Sequence, residues 1–483
     1  MNKTGTSILL VVILIFIKCT TTDIQSSSHN TPIFYKDLDS IENEGKLRAL
    51  LEYNGTSYFL YKGNPMGFEY ELLKKYANHM NLKLEVIPIK NMDSIFVDLK
   101  NGVADVAAAN LTITEERLIK SAFTHPVLTT KQVLIQRKPE NWRKLRSSDL
   151  KKQLLQSPLD LVGKTVTVSK GSSFYSRIKS LSNEIGGKIN INTVSGEVSM
   201  EELIQKVSTQ ELAYTVADKN LAIVSQWQYP NIDAHLTISL DQNIAWSTRK
   251  NATELTNSMN EWLIYYQKTK YFKMLFNKYF KNSKGYYKRS SNKYYTLKSG
   301  EISPYDEIFK KEAPKLGWDW ELLTAMVYQE SHFSNTARGW GGSFGLMQFM
   351  PKTGARYGVD TTSSAHENII AGVKYLNYLD NYWASIVSDS TQRIPFVIAS
   401  YNVGPGHLLD ARRLAEKYGK DAFIWKDNVD FFLLNKSKAK YYKDEVVRNG
   451  YCKGYITYDY VYEILERYEH YKNITHENEL AAK

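Results

Sequence analysis

Cysteine is nearly absent: the 483 residues hold two, Cys19 and Cys452. A disulfide framework is excluded, and the fold must stand on its apolar cores. Long apolar runs are missing too. The run at residues 8–17 is ten residues long, whereas a bilayer-spanning helix needs about 20. No low-complexity tract interrupts the chain. His332, His366 and His407 lack the spacing of a metal site, so they read as solvated or structural, and neither metal nor cofactor is expected. No motif joins aromatic and basic residues for base stacking, so the net charge of +11 points to anionic envelope surfaces rather than nucleic acid.

What is present is globular: 43% hydrophobic, 13% aromatic and 23% charged residues, enough apolar material for several cores in a chain of this length. Lys3 followed by the short apolar run has the form of a secretory signal. Cys19 comes directly after it, then Thr20-Thr21-Thr22-Asp23, the arrangement of a bacterial lipoprotein whose lipidated first residue would be Cys19. Lys18 stands where a small residue is usual, which leaves an ordinary cleaved signal as the alternative. Residues 1–19 are thus expected as a signal, 20–42 as a tether and the outer membrane as a partner. Residues 281–298 carry six Lys or Arg and no acid, which reads as a basic linker over 281–300.

Between these limits, residues 43–280 alternate strand and helix. Residues 83–87 and 164–168 alternate like strands, while 69–80 and 251–280 have helical periodicity. This pattern predicts an α/β architecture with ligand sites at the sheet edge. Three groups converge chemically. Asn110, Thr112 and Arg117 supply amide, hydroxyl and guanidinium. Gly171-Ser172-Ser173 follows a strand and opens a helix, whose free amides attract a carboxylate. Asp218 is placed to receive an ammonium. Their order and context, with Gly67-Phe68-Glu69-Tyr70-Glu71-Leu72, resemble the family 3 periplasmic solute-binding domains. The resemblance implies two lobes closing over an amino acid or wall peptide, with Arg117 on its α-carboxylate, Asp218 on its α-amine, and Asn110, Thr112 and Ser172 assisting.

Residues 301–475 read as mainly helical. The segment 320–327 has no Gly or Pro, and Glu330 continues the row of Trp320, Leu323 and Val327. Burial and the negative end of the helix dipole both favour its neutral form, which suits a general acid. A solvated Glu at a fraying helix end is the alternative from this pattern alone. Glu330-Ser331, Gly345-Leu346-Met347-Gln348 and Ala399-Ser400-Tyr401-Asn402 together resemble the Slt-type lytic transglycosylases of the lysozyme-like superfamily. That resemblance implies cleavage of peptidoglycan glycan strands between N-acetylmuramic acid and N-acetylglucosamine, with Glu330 as catalytic residue and 1,6-anhydromuramyl products. It puts Ser331, Gln348, Tyr401, Asn402, Met347, Tyr441 and Tyr460 along the substrate groove, Met347 being better suited to the core. A hydrogen bond from Tyr401 to Glu330 is expected. Asp360 and Glu367 are the acids that would supply a second carboxyl. Gly339 stands where related enzymes can carry Ser. A hydrolytic muramidase and a non-catalytic periplasmic receptor are the rival readings.

Overall fold

The computed structural model describes residues 34–89 and 91–481; the signal reading and Cys19 lie outside them. Two α/β lobes come first. In one sheet the strand order is Lys83–Ile89, Lys46–Glu52, Val106–Thr112, Gln242–Thr248 and Ala122–Phe123, with Leu128–Thr130 also on Gln242–Thr248. The first three run parallel and Gln242–Thr248 is antiparallel. Val106–Thr112 is buried at all but one position, as a parallel strand covered on both faces must be. The second sheet has the order Asn190–Val194, Thr165–Ser169, Tyr214–Asp218, Gln132–Arg137, Ile232–Asp233. The chain crosses between lobes twice, after Leu128–Thr130 and before Gln242–Thr248. The two-lobed expectation holds.

Local chemistry moves several boundaries. The helical stretch expected over 251–280 is two helices, Thr253–Tyr266 and Lys270–Phe280, because the Thr269 hydroxyl caps the second by accepting from the Phe272 amide at 3.3 Å. From residue 34 the expected tether is docked. Ile41 is fully buried, and Asp37 accepts from the amides of Glu254 and Leu255 at the start of the neighbouring helix. The basic stretch 281–300 forms the helices Ser283–Ser290 and Thr296–Ser299 instead of an open linker. Its lysines face solvent while Tyr295 and Thr296 bury against the first lobe and Tyr286 packs on Trp227 of the helix Lys219–Gln228.

The helical half contains Asp306–Glu312, Trp320–Ser331, Ala365–Ala384, Ser390–Val403, Pro405–Lys417 and the long C-terminal helix Gly454–Ala481. Ser390–Val403 carries Pro395 in its second turn, and its start is fixed by Asp389, whose side chain caps the amides of Thr391 and Gln392. The C-terminal helix packs along Trp320–Ser331 and reaches the first lobe. There Tyr471 donates to the Gly63 carbonyl at 2.7 Å, and His470 lies between the hydroxyls of Tyr58 (2.7 Å) and Tyr70 (3.3 Å). Gly63 has φ +74°, and a Cβ there would meet the Tyr471 hydroxyl at 2.5 Å and Tyr328 and Phe333 at 2.8 Å. Only glycine fits, by backbone conformation and by space. One apolar core therefore runs from the first lobe into the helical half.

Candidate functional sites: a carboxyl groove and an interlobe cleft

Glu330 closes the last turn of Trp320–Ser331. The helix stops because His332 (φ 49°) and Phe333 (φ 63°) turn left-handed, the His332 amide still bonding to the Tyr328 carbonyl at 2.8 Å. Leu323, Val327 and their neighbours are fully buried, which holds the helix end rigid and leaves Glu330 half-buried at its tip. Burial raises its pKa from 4.5 to about 7, offset in part by a hydrogen bond from the Tyr460 hydroxyl. Tyr460 comes from the C-terminal helix and is itself 7% exposed.

That bond corrects the sequence reading in one respect: Tyr401 does not serve Glu330 but donates to the Met347 carbonyl at 2.7 Å. The loop 343–349 brings this carbonyl forward because Gln348 adopts φ 47° and its side chain bonds back to the loop, accepting from Ser343 Oγ (2.8 Å) and donating to the Gly345 carbonyl (2.8 Å). Met347 itself is wholly buried, so its side chain belongs to the core and its carbonyl is taken by Tyr401. Ser331 is buried and donates to the Val327 carbonyl at 3.2 Å, which secures the helix end. Tyr441, expected in the groove, fills an aromatic cluster with Tyr418, Phe431 and Phe432. Asn402 is exposed and accepts from Thr457 Oγ1 at 2.7 Å. A Cβ on Gly339 would run into Ser343 Oγ and Gln348 Oε1, so the Ser343 hydroxyl occupies the place a serine at 339 would use. Beside it Trp340, framed by Gly339 and Gly341-Gly342, is 97% exposed, a large apolar face left in water.

Neither acid considered as a second carboxyl pairs with Glu330. Asp360 accepts from the Thr362 amide and hydroxyl, and Glu367 completes a capping box with Ser364. Both pKa values fall because these bonds favour the charged form.

In the first half, all five residues expected at a ligand site line one cleft of about 180 Å³ between the lobes. Asn110, Thr112 and Arg117 belong to one lobe, Ser172 and Asp218 to the other. Glu116 pairs with Lys120 at 2.6 Å, which leaves Arg117 to the cleft, donating to the Thr112 carbonyl at 3.0 Å. Asn110, at φ 51°, donates to Asp218 Oδ2 at 2.8 Å across the cleft. Asp218 is 2% exposed and its Oδ1 has no partner. Burial raises its pKa to about 7, offset by Asn110 and by the Arg117 charge. Ser172 turns to helix capping, accepting from the Tyr175 amide at 3.2 Å. Ser173 instead spans the lobes, 3.2 Å from Thr112 Oγ1. Glu52, at the C-terminal end of Lys46–Glu52, also lines the cleft. Sequence reading missed it, although strand ends are where such sheets hold ligands.

The comparisons follow this division. A family model described as bacterial extracellular solute-binding proteins, family 3, matches residues 47–282, and one described as the transglycosylase SLT domain matches residues 307–424. Fold and matches define a two-module protein, solute-binding module first and transglycosylase module second. A membrane-bound lytic murein transglycosylase F from Desulfosudis oleivorans is 31% identical over 434 residues, 90% of this chain and 91% of the relative. One from Aeromonas salmonicida is 27% identical over 89% of this chain and 83% of its own. The chain belongs to the membrane-bound lytic murein transglycosylase F family. Among solved structures, an ancestral arginine-binding protein bound to arginine is 24% identical and covers 49% of this chain and 98% of its own, with a TM-score of 0.41.

Proposed function

We propose that this protein is a peptidoglycan lytic transglycosylase in which Glu330 acts first as acid and then as base. The observation that carries this reading is the half-buried carboxyl at a rigid helix end, with its pKa raised to about 7 and a tyrosine hydroxyl on one oxygen. Protonated Glu330 gives its proton to the glycosidic oxygen as the bond to the muramyl anomeric carbon breaks. The resulting carboxylate takes the proton of the muramyl 6-hydroxyl as that oxygen bonds to the same carbon. The strand ends in a 1,6-anhydro sugar, no water is consumed, and Glu330 is again protonated. Ordinary glycosidases place two carboxyls around the bond; with Asp360 and Glu367 held in caps, one carboxyl working twice fits this site better than a hydrolytic pair. Gln348 and Asn402 offer fixed polar groups for acetamido and hydroxyl substituents, and the exposed Trp340 offers a flat face to a sugar ring.

The interlobe cleft is read as a sensor for an amino acid or wall peptide, Arg117 holding the α-carboxylate and Asp218 the α-ammonium. The C-terminal helix supports coupling between the modules. It carries Tyr460 against Glu330 and, about 15 Å further on by its rise per residue, His470 and Tyr471 against the first lobe. Export, lipidation at Cys19 and residence at the outer membrane complete the proposal. Among the described residues no helix is long and apolar enough to cross a membrane, so the anchor is assigned to the N-terminal segment. Digestion of purified murein followed by mass spectrometry tests the enzyme: wild type should release products with 1,6-anhydromuramyl ends, lighter than hydrolysed ones by one water. Retained activity in Glu330→Gln would remove Glu330 from its role.

A further inference from the structure

The ligand cleft does not end at Asp218. Behind it lies a second chamber of about 500 Å³ that shares Asn54, Thr56, Ser199 and Leu221 with the cleft. One wall comes from the second lobe, through the helices Met200–Ser208 and Lys219–Gln228. The other comes from the segment 283–299, which lies outside both family-model matches. Tyr286, Tyr287 and Tyr295 of that segment make the wall aromatic, and the Tyr286 hydroxyl is fixed on Gln228 Oε1 at 2.5 Å.

Carboxyls gather where the two spaces meet. Glu201, in the first turn of Met200–Ser208, lines the chamber, and both its oxygens are shielded from solvent with no hydrogen-bond partner at ordinary geometry. Burial drives its pKa up, only partly offset by the amides of Glu201 and Gly55. Glu52 lines the cleft side, and burial together with the Glu201 charge, and less so the Asp218 charge, raises it to about 8. Asp218, 2% exposed, leaves Oδ1 unpartnered beside them. The Arg117 charge reaches Asp218 but is not among the influences on Glu52 or Glu201, and the buried Arg289, beside Tyr286 and Tyr295, lines neither space. Arg117 is the half-buried cation of the cleft, Lys120 is paired with Glu116, and Lys170 and Lys298 are exposed. Buried carboxyls without cations are unfavourable, and a ligand that brings the missing charge relieves them. An ammonium also gains from tyrosine faces once it is out of water.

We propose that the chamber is a subsite for a second ammonium: the ligand is a diamino acid whose α-ammonium meets Asp218 and whose side-chain ammonium lies between Glu52 and Glu201 beside the tyrosine wall. This rests on the reading of the cleft as an amino-acid site and adds the ligand's charge pattern to it.

Calorimetric titration of the full chain with L-lysine and L-norleucine tests it, since the two share a carbon skeleton and differ in the side-chain ammonium. Lysine should bind at least tenfold more tightly. Glu201→Gln should reduce that ratio several-fold while leaving norleucine affinity in place, Glu52→Gln should also reduce the ratio, and Asp218→Asn should weaken both ligands. Equal or tighter binding of norleucine by the wild type overturns the proposal and leaves the amino-acid reading of the cleft standing; this comparison requires no variant to fold. Binding of neither ligand, nor of L-alanine, overturns both.

Discussion

Replacing Glu330 by Gln should stabilise the protein in a pH-dependent way while abolishing cleavage. The carboxyl has a pKa of about 7 in the folded chain against 4.5 for an unperturbed group. Well below pH 4.5 it is protonated in folded and unfolded chains alike, and Glu and Gln should differ little. Between pH 4.5 and about 7 the unfolded chain releases the proton and the folded chain retains it, so wild-type stability falls as pH rises. Each pH unit across that window costs the folded state about 1.4 kcal/mol, so the accumulated difference is about 3 kcal/mol once pH exceeds 7. Gln carries no such cost and can still accept the Tyr460 hydroxyl. Urea titrations of both proteins well below pH 4.5 and at about pH 8, read beside release of anhydro products, measure the difference directly. A stability gap that does not change with pH would show that Glu330 ionises like a solvated residue, and the reasoning that makes it an acid near neutrality would fail.

Tyr460→Phe removes the bond that favours the Glu330 carboxylate. A hydrogen bond to a charged group is worth about 1.5–3 kcal/mol, so the alkaline limb of the rate profile, where the acid form is lost, should move up by about one pH unit or more; an unmoved limb would refute the assignment. Gly63→Ala forces a left-handed backbone and three collisions at the junction of the modules, a loss of about 2–4 kcal/mol visible in thermal unfolding, and an unchanged melting temperature would contradict the packing described. Trp340→Ala should raise KM for murein strands severalfold with little change in kcat, because the ring is proposed to bind sugar without touching the reacting bond. A fall in kcat alone would assign it another role.

Much of this protein was legible in residue order. Alternation of strand and helix identified the α/β half, its two lobes followed from the resemblance to the solute-binding domains, and helical spacing placed Glu330 near a helix end because residues 320–327 hold helix formers without Gly or Pro. Asn110, Thr112, Arg117, Ser172 and Asp218 were legible as one site through their resemblance to the solute-binding domains, their order along the chain being the signal that joined them. The boundary at 269 was less legible, since a threonine side chain capping one amide leaves no periodic trace.

What the sequence by itself determined is therefore local: which segments are helix or strand, which residues carry chemistry, and that one carboxyl near a helix end was suited to remain protonated. Only the tertiary structure decided the partners. Tyr460 reaches Glu330 from 130 positions away, Tyr401 turns to the Met347 carbonyl, Met347 and Tyr441 withdraw into cores, and the basic stretch 281–300 becomes a wall against the first lobe. These outcomes depend on which side chains fill the same space, and filling space is a property of the packed chain that no spacing along it encodes.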